Sequence, residues 1–332
     1  MTEKILDRLY RIPVPLPNNP LRELNAYLIR GKDGSLLIDT GFRLPECRAA
    51  LQAGLDELGV DRRDLVVLLT HMHSDHAGLA PEFVGEGNPI LVSEGDRALL
   101  GSFSAAGSAA WNRTNELFLE AGFPPELLKD IERTNPARAY APISTDRYES
   151  IRDGQMLEFG GYRLQAISVP GHTPGQMCFW LEEAGVMFTG DHVLFDITPN
   201  ITGWPGVEDS LGNYLNSLRL IRRYDVRLAL PGHRKPGPMR ERIDELIEHH
   251  ERRMQEVRDI ILKEPGLDTY GVTARMTWSI RAKSWEDFPV AQKWFAVGEC
   301  AAHLDYLLVR KEIRRELDSN GIYHYFMNSA FL

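Results

Sequence analysis

The chain has 332 residues, 43% apolar and 26% charged, with a formal net charge of −9. That length accommodates a full core and a smaller second domain, and the acidic balance excludes a protein drawn by its overall charge to nucleic acid or anionic lipid. Of three cysteines, Cys178 and Cys300 stand far apart with no CxxC spacing, which excludes a disulfide scaffold and a thiolate metal site.

The N-terminal MTEKILDRLYRIPVP carries charges where a leader would be apolar, and no later stretch offers ~20 apolar residues, so a soluble cytoplasmic protein is expected. Up to about residue 240, short apolar runs are broken by Gly, Pro and Asp. LNAYLI, SLLIDTG, DLVVLLT and NPILVSEGD predict strands, as do YRLQAISVPG, QMCFWLE, GVMFTGD and DVRLALPGH. Helical spacing, as in ECRAALQAGLDEL, falls between them, and this order predicts an α/β protein with two layers of sheet and helices outside.

From about 95 to 145 the chain makes an excursion too long for a connection of ~2–8 residues. WNRTNELFLEAGF and PELLKDIERT have helical periodicity and predict a helical lid carrying Trp111, Phe118, Leu119 and Phe123. The alternative is that these side chains pack the excursion onto the sheet. Trp204, in a Gly/Pro loop, offers a second apolar wall. After residue 238, RERIDELIEHHERRMQEVRDIILKE predicts one long amphipathic helix, AAHLDYLLVRKEI another, and IRRELDSNGIYHYF a hairpin.

Where the strands stop is more informative than the strands. LLT ends at His71, SVPG at His172, FTG at Asp191 and LALPG at His233. Strand ends are where a rigid scaffold holds a ligand and leaves room for substrate. Within HMHSDH, His71 and His73 alternate and point the same way from an extended segment, and Asp75 and His76 follow in the turn. One metal could take His71, His73 and His172, a second Asp75, His76 and His233, and Asp191 could bridge them. Two divalent cations lower the pKa of bound water towards ~7, so a bridging hydroxide is expected to attack a carbonyl, or phosphorus. Asp75 is also assigned as the catalytic carboxylate. His192, next to the bridge, reads as a residue orienting a ligand, and His249, His250, His303 and His324 read as ordinary surface or core residues.

This constellation resembles the metallo-beta-lactamase superfamily, whose HxHxDH motif is matched by His71, His73, Asp75 and His76 and whose later ligands fall on His172, Asp191 and His233. The resemblance covers roughly residues 20 to 240, SLLIDTG included. It implies an αββα four-layer sandwich of two mixed sheets between helices, a first metal on His71, His73 and His172, a second on Asp75, His76 and His233, and Asp191 as the bridge. True zinc beta-lactamases lack a bridging aspartate, so Asp191 argues against antibiotic hydrolysis. Flavodiiron relatives put a glutamate where His73 stands. Only 42 positions separate Asp191 from His233, leaving no space for the inserted domain of the large nucleases. What remains is similar to the glyoxalase II-like hydrolases, and to relatives whose catalytic domain, here 1–238, is followed by a small winged-helix domain, here 239–332.

The function expected is metal-dependent hydrolysis of a small-molecule acyl substrate, a thioester first and a lactone second. A single-strand-specific endoribonuclease and a non-enzymatic metal-binding module are the alternatives. The C-terminal stretch carries 14 Lys/Arg against 16 Asp/Glu, so it lacks the basic footprint of a phosphate-backbone binder, and neither nucleic acid nor membrane is expected as a partner. A homodimer is left open. Zinc suits the donors, and iron and manganese tolerate the same set.

Overall fold

The computed structural model describes residues 1–32, 34–103, 109–279 and 282–331. It divides into two compact units: Met1–Ala106 with Pro136–Pro199 and Ser217–Ile243, and Gly107–Asn135 with Asn200–Asn216 and Asp244–Leu332.

In the first unit, strands β1 (Glu3–Leu6), β2 (Leu9–Pro15), β3 (Glu23–Ile29), β4 (Ser35–Ile38), β5 (Leu65–Leu68), β6 (Ile90–Ser93) and β7 (Tyr148–Ile151) form one sheet in sequence order. It is antiparallel from β1 to β4 and parallel from β4 to β7. A second sheet has the order β12 (Leu228–Pro231), β11 (Val186–Gly190), β10 (Met177–Leu181), β9 (Tyr162–Ser168) and β8 (Met156–Phe159), with only β11 and β12 parallel. The runs SLLI, MCFWL and VMFTG are buried at every residue, which is why they read as continuous apolar segments without alternation. One core joins the sheets: Tyr27, Ile38 and Leu68 of the first meet Phe179, Phe188 and Leu230 of the second. Rings Tyr27 and Phe188 cross edge to face at 5.4 Å.

Helix α1 (Pro45–Glu57) starts with proline in its first turn and buries Cys47, Leu51, Gly54 and Leu55 on one stripe. A Cβ on Gly54 would stand 2.5 Å from Ile12 Cγ2, so glycine sets how closely the helix approaches β2. The HMHSDH stretch itself forms α2 (Ser74–Ala77), and α3 (Ala80–Phe83) and α4 (Glu94–Phe103) come after it.

The excursion contributes α5 (Ala109–Glu120), α6 (Pro125–Thr134) and the single turn α7 (Pro136–Ala139); residues 104–108 of the expected lid lie outside the described residues. Phe118, Phe123 and Leu128 are buried with Val297 in a core of the second unit, and the Phe118 ring stacks on Trp294 at 5.0 Å. Those side chains therefore pack against the C-terminal stretch, where the alternative reading had the sheet, while Leu119 is 40% exposed. After α8 (Ser210–Ile221), the chain enters α9 (Met239–Lys263), the long helix expected there. Then come β13 (Leu267–Asp268), α10 (Thr269–Arg275), α11 (Val290–Val309), β14 (Ile313–Leu317) and β15 (Tyr323–Met327), with the three strands in the antiparallel order β13-β15-β14. The second helix begins well before the predicted AAHLDYLLVRKEI, and the hairpin falls on IRRELDSNGIYHYF. Among the described residues, no helix is long and apolar enough to cross a membrane.

Candidate metal centre

Four strand ends of the first unit supply the donors. The chain leaves β5 through Leu69 and Thr70 to His71, and His73 caps α2, with its carbonyl accepting from the N–H groups of His76 and Ala77. This single turn brings Asp75 and His76 back towards His71. His172 follows β9, Asp191 follows β11 and His233 follows β12.

The donor atoms converge in groups. His71, His73 and His172 form one set, Asp75, His76 and His233 another, and His71, His76 and Asp191 a third, with all atoms of each set within 4.8 Å of one another. His71 Nε2 lies 3.0 Å from His73 Nδ1, His76 Nε2 3.3 Å from His233 Nε2, and His233 Nε2 3.2 Å from Asp75 Oδ2. Two ligands around a tetrahedral zinc at ~2.0–2.1 Å stand roughly 3.3 Å apart, so these separations fit ions held between them. Asp191 faces both sets: Oδ2 is 3.8 Å from His172 Nε2 and 3.5 Å from His233 Nε2, and Oδ1 is 3.4 Å from His76 Nε2. Asp191 Oδ1 is buried and makes no hydrogen bond among the described residues, an arrangement a cation would complete.

Surrounding groups fix which ring nitrogen each histidine offers. His76 Nδ1 donates to Asp39 Oδ2 at 2.7 Å, leaving Nε2 for the site. The Thr70 hydroxyl donates to the same oxygen at 2.8 Å and, its proton so committed, accepts from His71 Nδ1 at 3.1 Å. His233 Nδ1 donates to the Glu23 carbonyl at 2.8 Å. The loop bearing His233 is further held by β3: Asn25 Nδ2 donates to the carbonyls of Pro231 and Arg234, and the Tyr27 hydroxyl to Pro231. Asp39 itself sits at φ 61°, a backbone region that aspartate and asparagine enter more readily than most residues. Changing Asp39 to Asn keeps that backbone option but removes the charge opposite His76. Metal affinity is expected to fall about 10- to 100-fold, measured by chelator competition.

A second carboxylate ties the two ligand loops together. Asp96, fully buried in the first turn of α4, accepts from Met72 N–H and the Thr173 hydroxyl on Oδ2, both at 2.8 Å, and from Gly175 N–H on Oδ1 at 2.7 Å. Burial pushes its carboxyl up to about 6, although all three donors pull the other way. Alanine at 96 would strand two buried N–H groups and a hydroxyl, each costing about 1–3 kcal/mol. A stability loss of about 3 kcal/mol or more is expected in denaturant titration.

The electrostatics divide the histidines. Burial, reinforced by neighbouring imidazoles, drives His71 well below the ordinary range, and burial with His172 beside it brings His73 down to about 3; both are neutral donors. Burial opposes protonation of His76 and His233 too, but the carboxylates facing them outweigh it and raise both. Burial likewise disfavours ionised Asp75 and Asp191, and the same imidazoles overcome it, holding Asp75 down at about 2 and Asp191 well below the carboxylate range.

All seven residues predicted from strand ends thus meet in one place. His192 is buried beside them and brought down to about 3, chiefly by burial and then by His172. His250 and His303 belong to the core of the second unit, with His250 Nδ1 3.2 Å from His303 Nε2. Sequence reasoning assigned no role to Asp39, Thr70, Asp96 or Asn25. Asp39 ends SLLID just as His71 ends LLT, so the same strand-end signal marked it.

Residues 20–233 match the family model of the metallo-beta-lactamase superfamily, and residues 286–328 match that of the metallo-beta-lactamase-like C-terminal domain. The chain belongs to the metallo-beta-lactamase superfamily. Among solved structures it is similar to a metallo-beta-lactamase family protein from Thermus thermophilus, at 31% identity and a TM-score of 0.80 over 98% of this chain and 100% of that one. It is also similar to the probable metallo-hydrolase YqjP of Bacillus subtilis, 26% identical over 94% of this chain and 95% of that protein. The lactamase-like protein nscB of Neosartorya fischeri is 28% identical over 79% of this chain, and the match spans 64% of that fungal protein's length.

Proposed function

We propose that the chain is a binuclear metal-dependent hydrolase of small acyl compounds, a thioester being the favoured substrate and a lactone the next. The observation that carries this reading is the placement of Asp191 between two donor triads whose atoms are spaced as ligands of one ion each. His71, His73 and His172 would hold the first ion, Asp75, His76 and His233 the second, and Asp191 would touch both. Zinc suits five imidazoles reinforced by carboxylates and backbone carbonyls, and iron or manganese accepts the same donors. Such ions supply hydroxide at neutral pH and a Lewis acid for the oxygen that gains charge.

The chain's own residues prepare that chemistry. Asp39, Thr70 and the Glu23 carbonyl hold imidazole protons on the outer nitrogens of His76, His71 and His233, so the inner nitrogens present lone pairs. Asp75, 3.2 Å from His233 Nε2, is the carboxylate placed to accept and return a proton during turnover. A thioester fits because its carbonyl is electrophilic and its leaving group needs little protonation. The net charge of −9 disfavours a polyanionic substrate. We read the C-terminal helix–strand–helix–helix–hairpin order as a winged-helix module with a packing role, and the protein as cytoplasmic.

Elemental analysis of the purified protein, beside hydrolysis of a panel of acyl thioesters, lactones, a phosphodiester and short single-stranded RNA, tests the reading. Two metals per chain with thioester or lactone turnover supports it. RNA cleavage abolished by changing His172 replaces it with the endoribonuclease, and full function after metal stripping with the non-enzymatic module.

A further inference from the structure

The last hairpin has an open side. In the order β13-β15-β14, β14 is the terminal strand among the described residues, and Arg314 to Leu317 are exposed. Its hydrogen-bonding phase is fixed at both ends: Asn328 N–H donates to Glu312 O at 3.0 Å, and Asp318 N–H to Ile322 O at 2.9 Å. Even-numbered residues from 312 to 318 therefore turn their backbone groups towards β15, and Ile313, Arg315 and Leu317 turn theirs outward. Arg315 and Leu317 thus present outward N–H/C=O pairs to anything that can add a strand, while buried Ile313 offers its N–H alone, its carbonyl accepting from Asn328 Nδ2 at 3.3 Å.

We propose that β14 pairs antiparallel with β14 of a second copy of this chain, around a two-fold axis at Arg315. In that register Arg315 exchanges both backbone hydrogen bonds with the partner's Arg315, and the Ile313 N–H donates to the carbonyl of the partner's Leu317. On the opposite face, Arg314 stands directly across from the partner's Glu316, twice by symmetry. Leu317, 57% exposed in the single chain, comes to lie beside Ile313, which is already buried. Charged edge strands commonly guard against pairing, but a guard repels its own copy, and here opposite signs meet in the self-paired register. Arg315 facing itself opposes association; its guanidinium is drawn aside, 4.1 Å over the Tyr323 ring. Within one chain Arg314 contacts Glu316 and lies over Phe326, so its side chain is already extended along the face where the partner's carboxylate would arrive.

A five-residue strand falls short of the ~1,200–2,000 Å² of a stable interface, so the dimer is reversible, with a Kd on the order of 100 µM. Sedimentation velocity of the full chain over a roughly hundredfold concentration range around that Kd reads it. The expected result is a monomer–dimer equilibrium. Arg315→Pro removes an N–H that β15 does not use and is expected to leave a monomer throughout. Glu316→Arg sets like charges opposite each other and raises Kd about tenfold or more, and Arg314→Glu combined with Glu316→Arg restores it. A wild-type monomer at every concentration overturns the proposal, as does a dimer that survives Arg315→Pro. Should Arg315→Pro lose its fold by circular dichroism, the charge pair decides, and a double variant no tighter than Glu316→Arg alone overturns the register.

Discussion

Alanine at Asp191 is expected to lower bound metal from two ions per chain to one or fewer and kcat/KM by on the order of 10³-fold or more, with circular dichroism unchanged. The carboxylate lies 3.4 Å from His76, 3.5 Å from His233 and 3.8 Å from His172. Those three imidazoles carry partial or full positive charge whenever an ion or proton is present. Removing it also takes away the largest raising influence on His233 and, after Asp39, the second on His76, so both titrate at lower pH than in the parent. Elemental analysis and proton NMR of the histidine ring resonances check the two arms. Two tightly bound metals with undiminished turnover would refute the bridging assignment.

The second large effect comes from a residue with no side chain. A Cβ on Gly232 would lie 2.6 Å from Asp191 Oδ1 and 2.7 Å from His76 Cε1, both closer than real contacts allow. Neither neighbour can retreat, because His76 is held by Asp39 behind it and Asp191 is packed among three imidazoles. Valine at 232 should therefore displace the bridging Asp191 and His76 of the second triad and abolish metal binding at micromolar chelator, with turnover falling at least as far as for Asp191→Ala. Because the site is at a strand end and Asn25 continues to hold the Pro231 and Arg234 carbonyls, the thermal transition of the metal-free protein should move by only a few degrees. A variant that keeps both metals would show that the loop yields.

The catalytic sheets were legible because their strands are short, apolar and stopped by chemistry-bearing residues. Eight strands, from LNAYLI to LALP, lie where their apolar runs predicted. β2 was not anticipated: Arg11, Pro13 and Pro15 break its pattern, and pairing with β3 over seven residues and with β1 on its other side makes it a strand. The seven donors were legible for a different reason: His71, His172, Asp191 and His233 follow strand ends, and His73, Asp75 and His76 share the turn after the first of these. Asp96 and Asn25 were not, because an aspartate after ILVSEG or an asparagine inside NAYLI looks like ordinary polarity until the loops they hold arrive from 24 to 209 residues away. The partners of Phe118 and Phe123 were hidden in the same way, as no local pattern announces that an excursion will pack on a helix near residue 295.

The donors are divided between the sheets: His71, His73, Asp75 and His76 follow a strand of the first, and His172, Asp191 and His233 follow strands of the second. An ion shared by His71 and His172 would in effect be a rivet through the sandwich, set after the plates have been brought together. Only the HMHSDH turn offers donors close in sequence, so an unfolded chain can grip an ion weakly at that end alone. Metal added to the folded apoprotein should raise its unfolding temperature, because binding to the native state alone adds to its stability, while metal present from the start of refolding adds little until the two sheets close. Acquisition of the cofactor is thereby a readout of finished assembly, and a chain whose halves have not met stays chemically silent.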